Sequence, residues 1–267
     1  MRDETLDAKA GPIIMAFFQH GGSKIYYEVT GQGTPLLFLP GVTDSISAHS
    51  DWLARIAHDH RVIAADLPGS GRSGPQPRHY HVNYYEDDAH SFAALLQELG
   101  ASNAHLVGYS DGGEVALMMA IVAPEVARSV LTWGASGFAD DPGGHIATLF
   151  RNLVDHPDPE TQAWRDGLVA RHGADLARDI TRNVADVIDA FVAAGGDISR
   201  SRARQIRCPV CLIAGHQDNF VTADLLMALA GQIETVETHI VEGAGHAVHQ
   251  DRPDRFAATL TDWLARH

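Results

Sequence analysis

A serine hydroxyl becomes a useful nucleophile only when a base takes its proton and an acid holds that base in the right tautomer. This chain places one residue of each type where such a set could form: Ser110, Asp218 and His246. Ser110 stands in Gly108-Tyr109-Ser110-Asp111-Gly112-Gly113, between the apolar run Ala104 to Gly108 and Val115 to Ala120. Read as strand, turn and helix, that stretch is a nucleophile elbow. The turn is so tight that the serine takes a strained backbone angle and its neighbours cannot carry bulky side chains. Asp218 comes just after the apolar run Pro209 to Gly215, and His246 follows Gly243-Ala244-Gly245 after the run Thr238 to Glu242. Loops beyond strand ends are where an open α/β sheet gathers its site. Singly, an aspartate there is more often a turn or cap residue, and a histidine more often a surface or core residue. Asp140 and Asp141 are alternatives for the acid, and His249 for the base.

Acyl transfer also needs donors for the oxyanion that forms. The amide of Asp111 lies at a helix start, where backbone N–H groups lack partners within the helix. A second donor is expected from the turn Pro40-Gly41-Val42, through the amide of Val42. Only backbone is used, so the apolar side chain is no objection.

These residues must be held by a frame. Pro12 to His20 and Ser23 to Thr30 alternate apolar and polar side chains around Gly21-Gly22, which reads as a β-hairpin. Pro35 to Gly41 is continuously apolar, as expected of a strand buried on both faces. Helix and strand patterns then alternate: helix Ser47 to His58, strand Val62 to Asp66, helix Tyr84 to Leu99, the elbow, and strand Ser129 to Gly134. Between 135 and 207 only helical patterns occur, over Ile146 to Asp155, Thr161 to Arg171 and Leu176 to Ala194. A strand at Pro209 to Gly215, a helix at Ala223 to Ile233, a strand at Thr238 to Glu242 and a final helix from Pro253 complete the pattern. The expected architecture is α/β: a mostly parallel sheet covered by helices on both faces, built from residues 12–134 and 208–267. Residues 135–207 form an inserted helical cap, and residues 1–11 a flexible tail.

Composition narrows the function. With 267 residues, 45% hydrophobic and 20% charged, the chain is globular. Its 34 acidic residues against 20 basic ones give a net charge of −14, which disfavours nucleic acid or an anionic membrane as partner. The apolar run Pro12 to Phe18 is too short for a membrane span or signal core, and a cytoplasmic protein is expected. Cys208 and Cys211 form a C-x-x-C that runs into a buried strand rather than opening a helix, so both are expected to be reduced core neighbours. The 16 histidines show no metal-binding spacing, and no metal is expected. Gly69-Ser70-Gly71-Arg72-Ser73-Gly74 matches the dinucleotide fingerprint literally, but Pro75 and Pro77 forbid the helix that must face the pyrophosphate.

Taken together, Pro40-Gly41, Asp66-Leu67-Pro68-Gly69-Ser70-Gly71-Arg72-Ser73, the elbow, Gly215-His216-Gln217-Asp218 and Gly243-Ala244-Gly245-His246 resemble the α/β-hydrolase superfamily over nearly the whole chain. Within it, Ser-Asp-Gly-Gly at the elbow, Pro-Gly at the oxyanion turn and Trp133-Gly134-Ala135 resemble the valacyclovir hydrolase (biphenyl hydrolase-like) group. The resemblance implies a cofactor-free serine hydrolase acting on small-molecule esters through an acyl-enzyme. In that group the acyl part is an α-amino acid whose ammonium is held by the acid beside the nucleophile, here Asp111, although Asp111 could equally just cap its helix. Trp133, Phe138, Phe150 and Trp164 are candidates for the substrate pocket. Lactone, thioester or carbon–carbon bond hydrolysis would use the same three residues, as would peracid formation, and a ligand-binding receptor on this scaffold is the rival from another class. Dehalogenase and epoxide hydrolase activities would want a carboxylate in place of Ser110.

Overall fold

The computed structural model describes residues 12–267. The expected tail, residues 1–11, lies outside the described residues. An eight-stranded sheet organises the rest, in the order β1-β2-β4-β3-β5-β6-β7-β8. Strands β1 (Ile14–His20) and β2 (Ser23–Thr30) form the antiparallel hairpin, and β2 also pairs antiparallel with β4 (His60–Ala65). Gly21 and Gly22 both have positive φ, the geometry that a two-residue hairpin turn demands. Every other pairing is parallel, through β3 (Thr34–Leu39), β5 (Ala104–Tyr109), β6 (Ala127–Trp133), β7 (Val210–Gly215) and β8 (Val236–Val241).

The helices in chain order are α1 (Ser50–Ile56), α2 (Tyr84–Glu98), α3 (Asp111–Val122), α4 (His145–Asn152), α5 (Gln162–His172), α6 (Ala174–Ala193), α7 (Ala223–Ala230), α8 (Val248–Asp251) and α9 (Pro253–Arg266). The helix expected from Ser47 is shorter, because a 3-10 turn at Ile46–His49 precedes it. The one expected to reach Ile233 ends at Ala230, just before Gly231, and the four-residue α8 was not expected. Between β6 and β7 stand α4, α5, α6 and a 3-10 turn at Arg200–Gln205, with one isolated bridge joining Phe138 and Asp197.

Successive strand side chains point to opposite faces, and the two core layers divide by that rule. Leu37, Leu39, Leu106, Val130 and Leu212 join the layer under α2, α3 and α7. Leu36, Phe38, Val107, Leu131, Trp133, Cys211 and Ile213 join the layer with Leu53 of α1 and Phe256, Leu260 and Trp263 of α9. Helix α3 is buried from Gly112 to Ile121, the mark of a helix enclosed all round. It packs between α2 and the sheet, so its N-terminus is fixed at the C-terminal edge of β5. Both cysteines are free, Cys211 buried within β7 and Cys208 just ahead of it. No helix among the described residues is long and apolar enough to cross a membrane.

Candidate active site

Ser110 links β5 to α3 at φ 53 and ψ −120, a left-handed conformation that a non-glycine residue holds only under tertiary constraint. The constraint is close packing. Cβ atoms at Gly108 or Gly112 would run into the carbonyl oxygens of Gly112 and Leu39 respectively, so neither position tolerates a side chain. The Ser110 amide donates to the Trp133 carbonyl at 2.8 Å, and its own carbonyl accepts from Gly113 and Glu114. Its hydroxyl is left projecting above the sheet edge.

His246 Nε2 lies 3.0 Å from that hydroxyl, and His246 Nδ1 lies 2.9 Å from Asp218 Oδ2 and 3.1 Å from Oδ1. With a carboxylate accepting at Nδ1, the ring proton sits there, and Nε2 is the acceptor facing Ser110. Asp218 is 4% exposed, and its Oδ1 also accepts the amides of Phe220 and Val221 at 2.8 and 3.0 Å. The three side chains picked out by spacing therefore meet. Gly215 matters to that meeting, since a Cβ there would strike the Ala244 and Gly245 carbonyls that lead to His246.

The alternatives go elsewhere. Asp141 accepts the amides of Ile146 and Ala147 and so satisfies the start of α4, while Asp140 is exposed. His249 accepts from Trp133 Nε1 at 3.0 Å, with His49 and Tyr109 rings each 4.9 Å away. Burial, then the neighbouring His49, pushes its pKa down to about 3, so it stays neutral.

Asp111 is the first residue of α3, whose N-cap is Ser110. Its Oδ1 accepts from both Tyr84 and Tyr85 hydroxyls, each at 2.7 Å, and its Oδ2 faces Ser110 Oγ at 3.5 Å. The shorter approach of His246 leaves the serine proton directed to the imidazole. The two tyrosines were missed in the sequence, where an aromatic pair opening an amphipathic helix reads as core. Burial, reinforced by the Asp111 charge, holds both phenols well above their ordinary range, so they remain donors.

Val42 sits in a closed turn, with the Asp44 amide donating to the Gly41 carbonyl at 3.2 Å and the Thr43 amide to Ser70 Oγ at 3.0 Å. The glycine-rich stretch that imitates a dinucleotide site is therefore a brace. Asp66 accepts the amides of Ile46 and Arg72, and Ser73 bonds both the Asp66 carbonyl and the Tyr26 amide.

Of the four pocket candidates, two need correction. Trp133 is fully buried because its position on β6 has the same parity as Leu131, which points it into the layer with Phe38 and Phe256. Phe138 lies under the Arg200 guanidinium, 3.7 Å from ring centroid to carbon, in a surface recess of about 440 Å³ that contains none of the three residues above. Phe150 and Trp164 pack edge to face, 5.2 Å between centroids, in a cluster that takes in Val42 and Phe220. The Phe220 ring is in turn 4.8 Å from that of His246.

One group of metal-ligand types occurs among the described residues, Cys211, Glu237 and His239, all within 4.8 Å. Arg266 already holds Glu237 at 2.5 and 2.9 Å, and burial pushes the Cys211 thiol up to about 12. That donor set suits an ion pair better than a cation.

Comparisons place the chain among known proteins. It is 25% identical over 249 residues to the human serine hydrolase BPHL, covering 91% of this chain and 84% of that protein. It is 27% identical over 253 residues to 2-hydroxymuconate semialdehyde hydrolase of Pseudomonas sp. (strain CF600), covering 88% of each. The solved 2-hydroxy-6-oxo-6-phenylhexa-2,4-dienoate hydrolase from Rhodococcus sp. strain RHA1 superposes with a TM-score of 0.76 at 18% identity, over 94% of this chain and 98% of that one. The family model described as the alpha/beta hydrolase family matches residues 36–259, and the chain belongs to that family.

Proposed function

We propose that this chain hydrolyses small carboxylic esters through an acyl-enzyme on Ser110, with His246 as base and Asp218 as its orienting acid. The observation that carries the reading is the continuous relay from Ser110 Oγ through His246 to Asp218, at 3.0 and 2.9 Å. In the first step Ser110 Oγ bonds to the ester carbonyl carbon as its proton passes to His246 Nε2. The amides of Val42 and Asp111 hold the oxyanion. When the tetrahedral adduct collapses, the alcohol leaves with the proton from His246. Water then attacks the acyl-serine, again giving its proton to His246, and the acid departs as Ser110 is reprotonated. Asp218, fixed by two backbone amides, steadies the imidazolium in both halves. Turnover of p-nitrophenyl acetate should fall by several powers of ten in Ser110→Ala and His246→Gln. Unchanged turnover in either would remove the proposal.

The acyl preference follows from Asp111. One carboxylate oxygen is already held by Tyr84 and Tyr85, so the other, beside Ser110 Oγ, is the one available to a substrate. A cation two bonds from the carbonyl carbon, as in an α-amino acid ester, would reach it. An acyl group carrying its own carboxylate would be repelled. This separates the ester reading from carbon–carbon hydrolysis of anionic dienoates, which the same three residues would also serve. An alanyl ester should be preferred over the propionyl ester of the same alcohol by about 10- to 100-fold, and Asp111→Asn should abolish most of that preference. Equal rates for both esters in the wild type would assign Asp111 another role.

A further inference from the structure

Thr43 follows Val42 and is the third residue of the turn from Gly41 to Asp44, which the Asp44 amide closes on the Gly41 carbonyl. Its φ is +65, the value that a type II turn requires at that position and that glycine normally supplies. A β-branched residue avoids this region, so the conformation persists only where the surroundings over-determine it. They do so here from three sides. The Thr43 amide donates to Ser70 Oγ at 3.0 Å, its Oγ1 accepts from Trp164 Nε1 at 2.9 Å, and its carbonyl accepts from Arg171 at 2.9 Å. Thr43 is 1% exposed.

Two of those three restraints come from one helix. Trp164 and Arg171 are seven positions apart on α5, which puts them on the same face, and α5 lies in the helical insertion rather than in the sheet layers. The Trp164 ring also packs against Phe150, in the cluster that includes Val42. Without them, only the Ser70 bond and the Asp44–Gly41 closure would oppose relaxation of Thr43 to negative φ, and that relaxation, which turns over the Val42–Thr43 peptide, would undo the type II turn of which Val42 is the second residue.

We infer that Trp164 and Arg171 are positioning residues for the reaction, acting through Thr43 to hold the turn that presents the Val42 amide to the oxyanion. The inference rests on the oxyanion role proposed above for Val42. Its consequence is that seating of α5 and readiness of the oxyanion donor are one event, so a displaced insertion leaves the triad intact but the turn unset.

Four variants test it: Trp164→Phe, which keeps an aromatic ring but loses the Nε1 donor and part of the indole, Thr43→Val, Thr43→Ser and Arg171→Met. Trp164→Phe, Thr43→Val and Arg171→Met should each lower kcat for p-nitrophenyl acetate by about 10- to 100-fold, with KM within about twofold of wild type. Thr43→Ser, which keeps the hydroxyl, should restore most of the rate. Trp164→Phe combined with Thr43→Val should be no worse than the weaker single variant, because both remove the same bond. A boronic acid, which binds as a tetrahedral anion, should weaken in step with kcat/KM, while the product alcohol should bind as before. Should Thr43→Val fail to fold, Trp164→Phe carries the test alone. Folded variants with unchanged kcat, an additive double variant, or equal losses for boronate and alcohol would each overturn the inference. Ser110→Ala run alongside separates the cases: if it still turns over, the hydrolase reading itself fails.

Discussion

At the scale of single residues, two histidines near the sheet edge have opposite properties although only two positions lie between them. His246 bridges a buried carboxylate and a serine hydroxyl, whereas His249 accepts from an indole and is packed among aromatic rings. His249→Gln should therefore lower kcat/KM by less than about tenfold, while Asp218→Asn, which leaves the relay's shape and removes its charge, should lower it by roughly 10³- to 10⁴-fold. Steady-state kinetics on p-nitrophenyl acetate checks both, and the reverse ranking would mean that the relay is misassigned. Ser110, Asp218 and His246 were legible because each comes just past an apolar run, Ser110 and His246 beside glycines and Asp218 three positions after Gly215, a signal local in sequence. Tyr84, Tyr85 and Thr43 were not. Their bonds to Asp111 and Trp164 span 27, 26 and 121 positions, and nothing local to a tyrosine pair or a threonine announces such partners.

At the scale of elements, the junction between sheet and insertion carries a buried charge. Glu114, one turn into α3, accepts the Ser136 amide at 2.8 Å and the Gly137 amide at 3.0 and 3.1 Å, just where the chain leaves β6. Burial pushes its pKa from an ordinary 4.5 up to about 7. The folded protein thus holds this proton more tightly than the unfolded chain does. The stabilisation is fully present below about pH 4.5 and is lost as pH rises through about 7. Glu114→Gln keeps an acceptor for both amides and cannot ionise. Its stability relative to wild type should rise between pH 5 and pH 8, by on the order of 1–3 kcal/mol. Thermal unfolding across that range checks this, and a constant difference would contradict it. The elements themselves were largely legible, since period and breakers are local. Strand parity alone puts Trp133 with Leu131 in the α9 layer, although the residue stands at the edge of the insertion.

At the scale of the whole molecule, a net charge of −14 surrounds a site in which Asp111 Oδ2 lies 3.5 Å from Ser110 Oγ. An acidic surface raises the local concentration of cationic substrates, an effect that salt screens. The kcat/KM for an alanyl ester should fall several-fold between about 20 and about 300 mM salt, and that for the neutral propionyl ester should stay level. Parallel curves would show that the field plays no part in selection. The mostly parallel sheet and the family were readable because motifs spread along the chain repeat one architecture, whereas how the insertion seats on the oxyanion turn depends on contacts made only after folding. The claim on which all of this turns is that one hydroxyl is activated. It is tested most directly by treating the protein with a fluorophosphonate and locating the adduct by mass spectrometry. One adduct per chain on the Ser110 peptide, absent in His246→Gln under the same conditions, is the predicted result. Labelling at another residue, or equal labelling of wild type and His246→Gln, would contradict it.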